Sequence, residues 1–491
     1  MSGVETGRIT TDIPARMDRL PWARWHWLIV IGLGTVWILD GIEVTIVGSL
    51  SAALEPEGTG LGLSAYDVGL AGAVYVSGAC LGALFFGQLT DRFGRKKLFM
   101  ITLGVYTVGT VLTAFSMNPM WYFACRFITG AGIGGEYAAI NSAIDELIPA
   151  KYRGRIDISI NGSFWVGAAA GALVTIPLTS EGFPYPELGW RGAFALGAIL
   201  AFGVLLVRRT VPESPRWLFI HGREEEAEQI VRDIEEKVER ETGKSLPSVS
   251  ETLTIRQRKT IPLTTIAKTV FTLYPKRTVL CLGLFIGQAF LYNAFFFTYG
   301  SSLELFGVTQ VGYYIAAFAV ANFFGALLLG TLFDTVGRVK MIAGTYIVSG
   351  VLLAVAAFYL DSFTAVTLTA MGMVIFFFAS AGASAAYLTA SEIFPMEVRA
   401  LCIAFFYAVG TAAGGIAGPL YFGKLIENAD VISDIAPGYY VGAALMIAGG
   451  VVAIFMGVHA EGKTLEDIAQ PLTAEDTPDS SPGKEKEPTP A

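Results

Sequence analysis

The feature that most constrains this chain is a series of twelve apolar blocks, each about as long as a bilayer is thick. They cover residues 27–50, 67–89, 98–116, 120–140, 158–179, 190–207, 278–300, 310–333, 341–360, 364–388, 401–422 and 438–458. A helix needs about 20 apolar residues to cross the hydrocarbon core. Only helices and closed barrels satisfy every backbone polar group there, and blocks this long and evenly apolar exclude barrel strands. The expected fold is an all-α membrane protein with twelve transmembrane helices. Charged residues make up 15% of the chain, against about 25% in a soluble domain.

Positive charge orients the spans. Lys and Arg collect in the N-terminal segment and the even-numbered loops. The odd-numbered loops hold only Arg191 and Lys424. This alternation places both termini in the cytoplasm of a plasma or bacterial inner membrane. The net charge of −8 argues against a nucleic-acid partner. The four cysteines fall inside predicted spans, where they read as small apolar filler without disulfides.

The chain is internally duplicated. Gly87, Leu89, Asp91, Gly94, Arg95 and Lys97 in the second loop recur as Gly330, Leu332, Asp334, Gly337, Arg338 and Lys340 in the eighth. Glu146, Pro149 and Arg153 recur as Glu392, Pro395 and Arg399. Two motifs repeating at nearly one offset mark a six-helix unit used twice, with a substrate site expected between the halves. The expected division is a cytoplasmic segment 1–26, a six-helix bundle 27–208, a helical cytoplasmic loop 209–276, a second six-helix bundle 277–460, and a tail 461–491. Within the loop, Ile230, Ile234 and Val238 form one stripe of a charged amphipathic helix. The tail after Gln470 is polar and Pro-rich, so disorder is expected.

These motifs resemble the major facilitator superfamily. Gly87-x-x-x-Asp91-Arg92-x-Gly94-Arg95-Lys96 is similar to its loop signature, and the eighth loop is a degenerate copy with Thr335 in place of Arg92. Arg126-Phe-Ile-Thr-Gly130-Ala-Gly132-Ile-Gly134-Gly135-Glu136 resembles its helix-4 signature. Pro212-Glu213-Ser214-Pro215-Arg216-Trp217-Leu218, Glu392-x-x-Pro395-x-x-x-Arg399 and Gly462-Lys463-Thr464-Leu465-Glu466-Asp467-Ile468 resemble the sugar porters. Helix 7 keeps Gln288 and Asn293 of the sugar-porter pattern but has Gly287 and Leu291 where that pattern has Gln and Gly. Asp40-Gly41-Ile42-Glu43 is closer to the aromatic-acid and metabolite proton symporters. The resemblance implies two six-helix bundles, transport by alternating access, and a helix-1 acid coupled to a helix-4 arginine.

The residues themselves point the same way. Asp40 and Glu43, three apart, share a helix face. Counting about 1.5 Å per residue puts Glu43 roughly 24 Å in from the cytoplasmic end, and Arg126 roughly 9 Å below the outer end. Arg126 can therefore meet Glu43 or Asp40. Unpaired, each such group costs about 2.5–3.5 kcal/mol in a bilayer. A carboxylate loses its proton beside an arginine and gains one when the arginine leaves, so Asp40, Glu43 and Arg126 are candidates for proton coupling. Either acid can carry the proton, with Glu43 in the family's second acidic position.

Gln288, Tyr292, Asn293, Asn322 and Tyr387 are candidates for binding a polar organic substrate. Glu136 reads either as a substrate residue or as a structural partner of the Asp91–Arg95 loop. Gly87, Asp91, Arg92, Gly94, Arg95, Glu146, Arg153, Asp334, Gly337, Arg338, Glu392 and Arg399 are candidates for gating. Glu146 with Arg399, and Glu392 with Arg153, are expected to tie the halves together on the cytoplasmic side, while Asp91, Arg92 and Arg95 can pair with the partner bundle.

Gly457 to Thr464 fits a phosphate-loop pattern, but that pattern needs a preceding strand and here a membrane helix precedes it. No cofactor, metal site or enzymatic centre is expected. The partners expected are a small-molecule substrate, protons and the lipid bilayer, with a monomer sufficient. The function read from the sequence is proton-coupled symport of an organic or aromatic acid, sugar or polyol. An uncoupled facilitator or exchanger, and a nutrient sensor that moves little, are the alternatives.

Overall fold

The computed structural model describes residues 5–50, 54, 60–63, 65–178, 183–208, 212–258, 267–304, 311–395, 398–470 and 472. The side chains of some helical residues, Asp91 and residues 295–302 among them, lie outside the described set, as does the tail beyond residue 472.

Six helical spans make the first half: α1 (Arg24–Ser49), α2 (Ala65–Phe93), α3 (Arg95–Ala114), α4 (Pro119–Leu147), α5 (Arg153–Gly162, a turn at Ser163, then Phe164–Leu178) and α6 (Pro186–Arg208). Six make the second: α7 (Pro275–Glu304), α8 (Val311–Thr335), α9 (Arg338–Phe358), α10 (Ala365–Glu392), α11 (Arg399–Gly410, a π-helical turn Thr411–Ile416, then Ala417–Glu427) and α12 (Ala436–Met456). Ten of these are long and apolar enough to cross a membrane by length and composition. The others, α4 and α7, are as long, at 29 and 30 residues. Of these, α4 carries Arg126, Glu136, Asp145 and Glu146.

Several spans begin before the apolar blocks do, because hydropathy marks only the apolar stretch of a helix and not its polar first turns. The fifth starts at Arg153, five residues ahead of its block, since its first turns bury polar groups against other helices rather than in lipid. The repeat is visible in the backbone. Gly94 and Gly337 have φ of 100° and 111° and stand at the N-caps of α3 and α9, a conformation that side chains beyond glycine resist.

Within the first half, α2 packs on α4 and α1 on α5; within the second, α8 packs on α10 and α9 on α12. The halves meet where α5 packs on α8 and α2 on α11. Close approach of α2 and α4 depends on the helix-4 glycines. A Cβ at Gly130 or Gly134 would fall on the main chain of Tyr75 or Ala79, so small residues let the two backbones touch.

The first and last described segments lie on one face, here called the terminal face. The fold there is not all helix. Glu5–Thr11 pairs antiparallel with Leu253–Arg258, joining the N-terminus to the long loop in a way no sequence pattern signalled. The loop helix Glu224–Thr242 buries Ala227, Val231, Ile234 and Val238. Its apolar stripe is thus shifted from the expected Ile230–Ile234–Val238. Ile230 is only partly buried, because Ala227 and Val231 lie closer to the Ile234–Val238 line at 3.6 residues per turn.

Candidate functional site

The N-terminal half carries the buried charge. Arg126 donates from Nη1 to Glu43 Oε1, with both side chains at most 2% exposed. Its guanidinium lies 4.5 Å from the centroid of the Tyr75 ring, an arrangement that favours a desolvated cation. Of the two expected pairings, only the one with Glu43 forms. Asp40 is 1% exposed and faces the Tyr137 hydroxyl instead. Three residues apart on a helix are offset by about 60° and about 4.5 Å, enough to point the two acids at different neighbours. Glu136 is fully buried on α4, ten residues from Arg126.

Asp40 and Tyr137 border an aromatic group built from both halves. Trp37 stacks on Tyr137 at 4.6 Å and 7°. Tyr387 meets Trp37 edge-on at 5.7 Å, and Tyr407 meets Tyr137 edge-on at 4.8 Å. Trp37 and Tyr137, which sequence reasoning missed, sit in ordinary apolar runs. Only the crossing of α1 and α4 turns them to the same place.

The candidate binding residues of the second half separate into two groups. Tyr292 donates to Asn322 Oδ1 at 2.9 Å and lies 5.4 Å from Trp165 of the opposite half. Gln288 is buried on the same helix. Asn293, one residue on, donates to Ala289 O at 2.8 Å and sits against Gly415 of the π-helical turn. Adjacent residues on a helix diverge by about 100°, which carries Asn293 away from Tyr292.

At the terminal face each half repeats one unit. Arg95 bonds Glu146 at 3.1 Å, and Arg338 bonds Glu392 through two nitrogens at 3.0 and 3.1 Å. The Glu213 carboxylate accepts the Arg95 main-chain N–H at 2.9 Å, and Glu461 accepts that of Arg338 at 3.4 Å. Each acid caps the helix that opens after the repeat glycine. Burial pushes the Glu213 carboxyl up, against the pull of these N–H donors.

The units are then crossed. Arg399 lies 3.7 Å from Glu146 and 3.9 Å from Asp145. Arg153 lies 3.9 Å from Glu392, and Asp334 accepts the Arg155 main-chain N–H at 2.9 Å. Both expected cross-half pairings are brought together. The described ion pair of Arg95 lies within its own half, and Glu146 carries the link across to Arg399. Arg92 is exposed, its guanidinium 5.1 Å from the Phe93 ring centroid. Gly87 lies within α2, and the Asp91 side chain is outside the described residues.

Sequence reasoning also missed Asp18. It accepts from Arg216 at 2.9 Å and Arg153 at 3.3 Å, and Arg216 reaches Glu466 at 3.5 Å. A strap of N-terminal chain thereby ties α5, the central loop and the C-terminal segment. Arg16 and Arg19 hold it to the loop helix through Glu235 at 2.6 and 2.5 Å.

Two six-helix bundles related by a repeat, a buried acid–arginine pair in one of them and crossed ion pairs closing one face define a transporter of the major facilitator superfamily. Residues 24–472 match the family described as sugar (and other) transporter, and the chain belongs to it. It is 28% identical to the niacin transporter NiaP of Acinetobacter baylyi, over 93% of this chain and 99% of that one. It is 29% identical to the putative metabolite transport protein YdjK of Escherichia coli, over 93% and 96%. Among solved structures it resembles the proton:xylose symporter XylE bound to 6-bromo-6-deoxy-D-glucose, with a TM-score of 0.71 at 20% identity, covering 90% of this chain and 98% of that chain. The protein is a multi-pass membrane transporter of sugars or other small metabolites, and not an enzyme.

Proposed function

We propose that this transporter imports a small organic acid together with a proton. The observation that carries the reading is the Arg126–Glu43 pair, buried where no solvent screens it. A buried pair costs desolvation that its mutual attraction barely offsets, so stability alone is a weak reason to keep it. As a switch it has a use. Protonating Glu43 cancels its charge and frees Arg126, and a freed arginine is a binding group for an anionic substrate. Asp40, one helical turn from Glu43, and the Tyr137 that faces it would sit beside the cargo. Release of the proton on the other side restores the pair and resets the carrier.

The substrate would lie between the halves, among Trp37, Tyr137, Tyr387 and Tyr407, with Gln288, Tyr292 and Asn322 as hydrogen-bonding groups. Four rings suit a flat ring acid better than a polyol, since ring faces are stacked rather than hydrogen-bonded. Likeness to a niacin transporter supports cargo of that class. The crossed pairs Glu146–Arg399 and Glu392–Arg153 would hold the terminal face, taken as cytoplasmic, shut until the halves rock.

The test is uptake into proteoliposomes. Aromatic acids, organic acids and sugars are offered with and without an acidic exterior. Gradient-driven accumulation of an acid, lost in Glu43→Gln, is expected. Equal uptake with and without the gradient sinks the symport, and accumulation of sugars alone sinks the substrate class.

A further inference from the structure

One acid at the terminal face has no place in the scheme above. Asp157 lies on the first turns of α5, four residues after Arg153. The second half has Ile403 four residues after its matching Arg399. The fold therefore accepts an apolar residue at this point of the repeat, and the carboxylate is an addition peculiar to one half.

Asp157 is fully buried. Its Oδ1 lies 3.2 Å from Asn161 Nδ2, and the same nitrogen lies 3.2 Å from Asn141 Oδ1. Asp157 Oδ2 has no hydrogen-bond partner among the described residues. Neither has Asn161 Oδ1, on a side chain that is 5% exposed. Two acceptors are thus buried together without a donor.

The charged groups that act most strongly on Asp157 from neighbouring elements are Asp145 of α4, Glu392 of α10 and Arg338 of α9. Two of the three repel it. The third is occupied: Arg338 spends its donors on Glu392, on Phe333 O at 2.7 Å and on Asp334 at 2.8 Å. Arg153, on the same helix as Asp157, is engaged with Asp18 and Glu392. An ionised carboxylate sealed here would stand unpaired in a dry site beside like charges, where its desolvation is not repaid. Something cationic must join it when the face closes, and the smallest candidate that needs no coordination shell is a proton.

We propose that Asp157 is a second proton site, filled when the terminal face closes and emptied when it opens. The carboxylate takes H⁺ from water on the terminal side as the halves meet, and the new O–H donates to an acceptor in the cluster, such as Asn161 Oδ1. On opening, the proton returns to the same water. It therefore gates the carrier without being transported, unlike the proton assigned to Glu43. The inference rests on the alternating-access reading but not on Glu43.

Hydrogen–deuterium exchange in nanodiscs, corrected for intrinsic rates, tests it. In the wild type, peptides spanning 153–162 and 399–404 should lose protection as pH rises, because an emptied Asp157 opens the face. Asp157→Asn, a neutral near-isostere, should hold them protected across the range, and Asp157→Ser serves if the first variant folds poorly. Wild-type pH dependence in a folded variant overturns the proposal. So does protection that changes when choline replaces sodium at fixed pH, which would assign the site to a metal cation. Charge moved per substrate in proteoliposomes should be the same in the variant and the wild type, and a smaller charge would make the proton a transported one. Wild-type uptake that ignores the pH gradient would sink the symport reading and leave the exchange experiment standing.

Discussion

The two halves share a fold and a gate motif but differ in what they bury away from the terminal face. The first sinks Asp40, Glu43, Arg126 and Glu136 into α1 and α4. The second presents Gln288, Tyr292, Asn322 and Tyr387, all neutral. At the terminal face the contrast vanishes, and each half builds the same arginine–glutamate unit with the same glutamate cap. Duplication thus preserved the part that must close symmetrically. The middle was free to diverge into a charged, switchable side and a side that recognises cargo by shape and hydrogen bonds.

That division can be broken or sharpened by mutation. The largest effect is expected from Glu43→Gln, which should reduce gradient-driven accumulation in proteoliposomes to the equilibrium level while exchange of substrate persists. Arg126→Ala should be next. It leaves Glu43 buried and unpaired, at a cost of about 3–5 kcal/mol, read as a lower melting temperature in detergent. Adding Glu43→Gln should recover much of that loss, and no recovery would show that the two groups are not coupled.

In the second half, Asn322→Ala removes the amide oxygen that accepts from Tyr292. A substrate KM raised about tenfold, equivalent to about 1.4 kcal/mol, is expected with coupling intact. Loss of coupling in this variant would erase the proposed contrast between halves. The smallest effect concerns the strap. Burial would push the Glu235 carboxyl up, but the hydrogen bonds from Arg16 and Arg19 outweigh it and hold it below its ordinary range. A group lowered on folding adds stability above its ordinary pKa and loses it as pH falls through the lowered value. Proteolysis of the N-terminal segment should therefore quicken only on acidification, and Glu235→Gln should remove much of that dependence. The pair is partly exposed, so a modest change is expected.

How much of this was legible in the sequence follows from which partners lie within reach of a pattern. The helices, the duplication and the crossed gate pairs could be read because hydropathy and repeated motifs are local signals. The Glu43–Arg126 pairing could be narrowed by counting residues from the ends of two spans, though the choice between Glu43 and Asp40 could not. Asp18 was missed because its partners, Arg153 and Arg216, are remote in sequence and the strap between has no periodicity. Glu213 stood inside a motif whose spacing says nothing of the helix it caps, and Asp157 and Trp37 were missed because a single residue in or beside an apolar run has no pattern to stand out from.

The sequence alone determined that this chain crosses a membrane in helices, that six of them were copied to make twelve, and that charges are sunk where lipid would reject them unpaired. Those conclusions depend on the cost of exposing polar groups to hydrocarbon, which each segment meets by itself. Only the tertiary structure decided which acid takes the arginine, which rings converge, and which carboxylates are buried away from the described cations. Those depend on helix rotation and crossing, set by close packing among many residues at once, which no single segment encodes.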